Sequence, residues 1–438
     1  MLRLAILTVT TLLAVGSAHA QPILGWVEAD TLYADRHDQF VHVPAPASPA
    51  VAGRGAAATF DIEYVNLPAE AEAAFQFAAD IWSQHLESSV PIRVRAEWKS
   101  EGDGDVLGST NPRVIANFER APSRSVWFAV ALANALAGRD LDPDEPHINM
   151  SLNSDFNGWY FGTDGQTPSG RFDFVTIVLH ELGHGLGFVG SMLVENGEGL
   201  WGIGTQDFPV IFDRFAELGD GRSLLDEDRF PNPSDALGDA LTSESVFFNG
   251  DAANRAQEGR RPQLHAPPSW QSGSSYSHLS EQTANRVESY PPGSLNALMT
   301  PTISSAESIH APGPVVCGMF QDMGWALAPA CASQVPGGSG TPTEPKSLEV
   351  DYRGLTNPIS ERLGGTATLL IRSTSSQHVD VNLIDVLGRR VAVLFQGTAD
   401  GGEDLFVNVD VSGLAAGVYF VWIESPDFFE SQPLTVIR

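Results

Sequence analysis

The stretch HELGHGLGFVGS, residues 180–191, places two imidazoles four positions apart with a carboxylate between them. On an α-helix that spacing sets His180 and His184 on one face, one turn apart, so both can reach a single metal ion. Glu181 is rotated around the axis, where it can reach a water on that metal without ligating it. This is the beginning of a hydrolytic zinc site, but a catalytic zinc takes three protein ligands and an open fourth position. The glycines nearby also need a reason, because each one inside a helix costs about 1 kcal/mol relative to alanine. Gly187, just past the second histidine, allows the positive φ that turns the chain out of the helix.

The third ligand is not fixed by local spacing. Gly190, three positions beyond Gly187, has no side chain to offer. Downstream, Glu195, Glu198 and Glu217 lie in or near glycine-rich segments without helical character. His265 (QLHAPP) and His310 (SIHAPG) sit among prolines, and His278 (GSSYSHLSE) is followed by NALMTP. From the residues alone these candidates stay open.

A helix broken at a glycine three residues after its second histidine resembles the metzincin metallopeptidases, whose pattern H-E-x-x-H-x-x-G-x-x-H precedes a methionine turn. The order SHLSE, then LNALMTP, resembles more specifically the leishmanolysin-like members, which insert a long segment before the third histidine. That resemblance implies zinc held by His180, His184 and His278, with Met299 beneath the metal and Gly187 as the helix breaker. It also implies Glu281 in a supporting place and Glu181 as general base for a zinc-activated water that attacks a peptide bond. It spans residues 56–330 in layout, with its sharp motifs confined to about thirty positions. The many disulfides of that family have no counterpart in this chain's two cysteines.

These residues need a scaffold to position them. TFDIEYV alternates as a strand does, and in PAEAEAAFQFAADIWSQHLESS the residues Phe75, Ala78, Ala79, Trp82 and Leu86 share one helical face. VPIRVRAEW returns to strand alternation, and HINMSLNS reads as a further strand, which the resemblance casts as an edge strand for extended substrate. Asp173 is placed to cap the helix FVTIVLHELGHG. Residues 188–277 show little sustained periodicity. The expected fold is α+β: a metzincin-like domain over 56–331 with a twisted sheet, a long helix and an active-site helix, then a small all-β sandwich.

The remaining organisation follows from composition. Residues 1–20 have an early arginine, a short apolar run and the ending Ala18-His19-Ala20, which reads as a secretory signal peptide. Residues 21–55, Pro-, Ala- and Gly-rich toward their end, read as a pro-segment or flexible entry; lacking cysteine, they exclude latency by a thiolate on the metal. Cys317 and Cys331 are the only cysteines and, in an oxidising compartment, read as one disulfide. The net charge of −29 excludes nucleic acid as a natural partner, and no later apolar run is long enough for permanent membrane insertion. The loops EGDGDVLG and NSDFNGWYFGTDG offer oxygen ligands for a structural calcium, without EF-hand spacing.

A Gly/Pro/Ser/Thr linker at 332–346 leads to a strand-only region, 347–438. There VNLIDVLGRRVAVLF and GLAAGVYFVWIES resemble the C-terminal sorting domain of type IX secretion cargo, through Asp385, Gly388, Arg389, Gly413, Ala415, Gly417, Val418, Tyr419 and Phe420. That resemblance implies export to the cell surface or medium and a partner in the secretion machinery. The combined expectation is a secreted zinc endopeptidase acting on protein or peptide substrates. The rival is a catalytically silent surface adhesin or glycan-binding protein on the same fold.

Overall fold

The computed structural model describes residues 22–27, 30–46, 57–281, 290–336, 348–352, 358–360, 366–373, 376–385, 389–401, 404–425 and 428–437. The expected signal peptide and most of the expected linker lie outside them.

Two separate apolar cores form. The larger is built on an eight-stranded sheet of β1 (Ile23–Trp26), β2 (Asp30–Val43), β3 (Phe60–Val65), β4 (Ile92–Lys99), β5 (Val106–Ala116), β6 (Trp127–Ala129), β7 (Ile148–Asn153) and β8 (Thr302–Ile309). Its main path runs β8-β2-β5-β7-β4-β3, with β1 and β6 also pairing with β5. Strands β3, β4 and β7 are parallel, whereas β5 runs antiparallel to β7 and β2. The helices are α1 (Ala69–His85), α2 (Val130–Ala137), α3 (Phe174–Gly185), α4 (Asp235–Leu241), α5 (Asp251–Ala256), α6 (Gly313–Met323) and α7 (Pro329–Ala332). A disulfide between Cys317 and Cys331 joins α6 to α7.

Helix α1 connects the parallel strands β3 and β4, the crossover that parallel strands require. Its first turn carries Glu70 and Glu72, which complement the helix dipole, and its buried face includes Phe75, Ala78, Ala79 and Trp82. Helix α3 is buried at every residue and starts where the Asp173 carboxylate accepts the Thr176 N–H (2.9 Å). Two indoles fix it along its length: Trp82 of α1 donates to the Leu179 carbonyl (3.0 Å) and Trp325 to that of Leu186 (2.9 Å). The register of α3 is thus set by directed hydrogen bonds as well as by apolar packing.

Two expectations need correction. Residues 21–55 are not simply a flexible entry: β1 and β2 belong to the sheet, so the scaffold extends before residue 56. The reason is that β5 leaves an edge open along its length, and unpaired backbone groups there recruit a strand. Second, HINMSLNS is not an edge strand. As β7 it pairs with β4 on one side and β5 on the other, leaving no backbone edge for substrate.

The smaller core holds β9 (Leu348–Asp351), β10 (Ile359–Ser360), β11 (Thr366–Ser373), β12 (Gln377–Asp385), β13 (Arg390–Ala399), β14 (Asp404–Asp410), β15 (Gly417–Ser425) and β16 (Phe428–Ile437). Sheets β9-β11-β14 and β10-β16-β15-β12-β13 share a core of alternating residues, among them Leu369, Ile371, Val379, Val381, Val407, Val409, Val421 and Ile423. Arg389 donates to Asp385 through Nε (2.7 Å), joining the two ends of the D-x-x-G-R motif, whose residues 386–388 lie outside the described residues. The Tyr419 hydroxyl donates to the Ala415 carbonyl (3.0 Å).

A buried carboxylate gives the larger core a pH dependence. Burial pushes Glu307, in β8, up to about 7 from the usual 4.5, against the Ser304 and Gly293 N–H groups it accepts. A folded-state pKa above the unfolded one means that this contribution is whole below about 4.5 and is lost as pH rises through about 7. It amounts to about 3 kcal/mol at most. Glu307→Gln is expected to flatten the fall in melting temperature between pH 5 and 8; an unchanged slope would exclude Glu307 as its source.

Candidate metal centre

Helix α3 delivers His180 and His184 from adjacent turns, and the return of the chain at residues 274–281 delivers His278 between them. The three Nε2 atoms lie 2.9 Å (His180 to His184), 3.1 Å (His180 to His278) and 3.2 Å (His184 to His278) apart. Each Nδ1 is directed at a backbone carbonyl: His180 at Leu298 (2.6 Å), His184 at Phe188 (2.7 Å) and His278 at Ser274 (2.7 Å). A carbonyl only accepts, so each Nδ1 carries the proton and each Nε2 presents a lone pair. Three lone pairs aimed at one point repel one another unless a cation lies between them. The spacing approaches the roughly 3.3 Å expected between nitrogens about 2.05 Å from a tetrahedral zinc. The donor set therefore fits zinc, and all three rings are at most 1 % exposed. Burial pushes His180 down to about 4 and holds His184 and His278 well below the usual range, their neighbouring imidazoles adding to the effect. Neutral imidazoles are the form that binds metal.

The glycines around the site have separate geometric reasons. A Cβ at Gly183 would come within 2.7 Å of the Met299 sulfur, so Met299 packs directly against α3 between the two histidines. A Cβ at Gly185 would meet Ile148 of β7 at 2.6 Å, which sets how closely α3 approaches the sheet. Gly187 has φ +118°, and the turn it makes brings the Phe188 carbonyl back to the His184 ring. At Gly190 a Cβ would run into Tyr276 and Asp213, so the short-spaced position for a third histidine is filled by other side chains.

Glu181 is fully buried, and neither of its carboxylate oxygens has a partner in hydrogen-bonding geometry. Burial pushes it up to about 8; the Thr110 hydroxyl on β5 opposes that shift without reaching hydrogen-bonding geometry. A buried acceptor of this kind fits a proton-accepting role beside a cation, which would itself draw the pKa down.

The rival ligands go elsewhere. His265 reaches Gln271 (3.1 Å), His310 pairs with Asp173 (2.7 Å), and Glu217 pairs with Arg261. Glu195 and Glu198 are exposed in a short hairpin. Glu281 accepts the Thr302 hydroxyl (2.5 Å), fastening the segment after His278 to β8 instead of touching the histidines. Among the described residues the histidine trio is the one convergent group of three or more metal-binding side chains. In the calcium candidates, Asp103 and Asp164 accept backbone N–H groups two residues ahead, closing their own turns.

Asp213 and Tyr276 carry no sequence signal. Asp213, fully buried, accepts the Ser191 hydroxyl (2.6 Å), the Val210 N–H (2.8 Å) and the Tyr276 hydroxyl (2.9 Å). Burial pushes it up to about 6 against these bonds. It ties the chain leaving α3 to the chain arriving at His278. The Met299 carbonyl accepts the Leu279 N–H (2.7 Å), securing the other side of that histidine.

Gly183→Ala separates helix propensity from packing. Alone, the change favours a helix by about 1 kcal/mol; here the methyl meets the Met299 sulfur, and overpacking costs about 1–3 kcal/mol. The expected outcome is a lower melting temperature and weaker zinc binding by titration. A stabilised variant of unchanged zinc affinity would remove Met299 from contact with the helix.

No protein-family model matches the sequence, and no curated protein matches it. Among solved structures, a DUF3244-family protein with an immunoglobulin-like β-sandwich fold from Bacteroides vulgatus aligns at 15 % identity and a TM-score of 0.13, covering 20 % of this chain and 96 % of that one.

Proposed function

We propose that the chain is a secreted zinc endopeptidase of metzincin type, resembling the leishmanolysin-like members. The observation that carries this reading is the convergence of three Nε2 lone pairs, with the Glu181 carboxylate buried on the same helix and lacking a hydrogen-bond partner. His180, His184 and His278 would hold the ion as neutral ligands, each fixed in its tautomer by a carbonyl on Nδ1. Zinc, when bound, supplies Lewis acidity, making a water acidic near neutral pH and stabilising charge on a carbonyl oxygen. Glu181 accepts the proton of the attacking water on its carboxylate and returns it to the leaving amine. Its buried surroundings keep the carboxylate a strong enough base to hold that proton between the two transfers. A silent binding protein would have no use for an unpartnered carboxylate there, since such a group costs stability without forming a contact.

We also propose that the β-sandwich serves secretion. The ion pair across Asp385 and Arg389 and the Tyr419 to Ala415 bond support this, because they lock residues that the sorting-domain pattern shares. The separate core implies that removing residues 347–438 leaves zinc content and hydrolysis intact while the protein stays inside the producing cell. Normal release of the truncated chain would refute a sorting role.

For the peptidase itself, His278→Ala is expected to lose stoichiometric zinc by metal analysis. Glu181→Ala is expected to retain zinc and fall at least about 100-fold in casein hydrolysis, a loss in the range of general-base catalysis. Full zinc in the first variant, or ordinary turnover in the second, would overturn the assignment of that residue.

A further inference from the structure

Strand β5 crosses α3 at the residue proposed as general base. A Cβ at Gly108 would lie 3.4 Å from the Glu181 Cγ, so the missing side chain there leaves room for the stem of the acid. Residues two apart on a strand share a face, which turns Thr110 toward the helix as well. Thr110 is 0 % exposed, and its hydroxyl is near enough to act on the Glu181 carboxyl group. That hydroxyl has no hydrogen-bond partner, and neither carboxylate oxygen of Glu181 has one. The backbone beneath the hydroxyl is fixed on both sides, with Thr110 opposite Met150 of β7 and opposite Asp30 of β2. A donor on an inner strand and an acceptor on a fully buried helix thus face each other, each without another partner.

An unpaired buried hydroxyl costs free energy that a valine of the same shape would not. Thr110 therefore weakens the core unless its hydroxyl has a use. We infer that Thr110 is a positioning residue for Glu181: its hydroxyl donates to one carboxylate oxygen and so holds the other free to take the proton of the attacking water. The inference rests on the peptidase reading for its reaction and adds what a lone glutamate lacks. Three torsions separate the head of that side chain from the helix, and rotation about the last of them carries the accepting oxygen out of place. One fixed donor sets the plane of the carboxyl group. Threonine suits the task, because two heavy atoms on Cβ restrict χ1 and keep the hydroxyl where the strand puts it. The bond also survives the proton transfer, since a carboxyl group protonated on one oxygen still accepts on the other. Gly108 and Thr110 then act as a pair, the first making space for the stem of Glu181 and the second orienting its head.

The test compares the zinc-loaded full chain with Thr110→Val and Thr110→Ser, using a quenched fluorescent peptide. Thr110→Val is expected to lower kcat about 10- to 100-fold, the range for groups that orient a metal site from outside it. KM and zinc content should stay at wild-type values, because the hydroxyl touches neither substrate nor metal. Thr110→Ser restores the donor and is expected to recover most of the rate. In a Glu181→Gln background, Thr110→Val should cause no further loss, since a residue acting through Glu181 has nothing left to act on. Should Thr110→Val not fold, Thr110→Ala removes the same donor and decides in its place. Wild-type kcat without the hydroxyl, a serine variant as slow as the valine one, or a further loss in the Glu181→Gln background would overturn the proposal. Independently of turnover, the infrared carboxyl band of Glu181, isolated as the difference against Glu181→Gln, should move in Thr110→Val and hold its place in Thr110→Ser. A band that responds in this way while no form cleaves the peptide would leave the pair standing and refute the peptidase. A wild type that cleaves, with band and rate both insensitive to Thr110, would do the reverse.

Discussion

Three imidazole nitrogens pointing at one volume is the constraint around which the larger domain is organised. Unprotonated Nε2 atoms about 3 Å apart repel, and the protein holds them there by tying each opposite nitrogen to a main-chain carbonyl. Those carbonyls belong to three different places: Leu298 in the turn that ends at Met299, Phe188 just after the Gly187 turn, and Ser274 in the returning loop. The orientation of each ring thus depends on a separate piece of backbone being correctly placed. Two of those pieces are themselves fixed by contacts to α3, since Met299 packs on Gly183 and Phe188 bonds back to the Gly183 carbonyl (3.0 Å). The helix supplies two of the three imidazoles and is the template for the groups that orient them.

This explains why α3 tolerates glycines that weaken it as an isolated helix. Burial at every residue supplies stability that propensity does not, and the missing side chains allow Met299 on one flank and Ile148 on another to come into contact. Trp82 and Trp325 then hold the thinned helix at two levels through indole bonds to its carbonyls. The aromatic payload of α1 was visible in the sequence as a helical stripe, but its polar duty toward Leu179 was not.

What the sequence disclosed divides along local and non-local lines. The strand, helix and strand over residues 60–99, the Asp173 cap and the Cys317–Cys331 pair depend on near neighbours or on counting, and periodicity or parity revealed them. β5 went unread because it is buried on both faces over most of its length, which erases the alternation that marks a half-exposed strand, and because Gly108 and Pro112 look like turn residues. β2 went unread for the opposite reason, its long exposed middle reading as an unstructured entry. The site divides the same way. His180, Glu181 and His184 follow from helical spacing, His278 and Met299 needed a family pattern, and Asp213 and Tyr276 had no signal because one acid and one phenol 63 residues apart reveal nothing until they touch.

The last of these absences bears on how His278, 94 residues from His184, can be positioned beside it at all. Closing an unstructured loop of that length costs about 4 kcal/mol in chain entropy beyond a constant, and a metal that had to supply this would bind weakly. The intervening chain is not unstructured. Phe212, Leu224, Leu237, Phe248 and Leu264 are fully buried and join the main core, so burial of the insertion itself offsets the closure before any ion arrives. Asp213 then converts that collapsed mass into a defined position. It binds Ser191 at the departure from α3 and Tyr276 two residues before His278, so the two ends of the excursion meet at one carboxylate. A hydrophobic residue at 213 could fill the same volume but could not accept bonds from both ends. It follows that the insertion stabilises the site through its apolar residues and sets its geometry through a single buried acid, whose ordinary pKa is displaced upward by the burial its role requires.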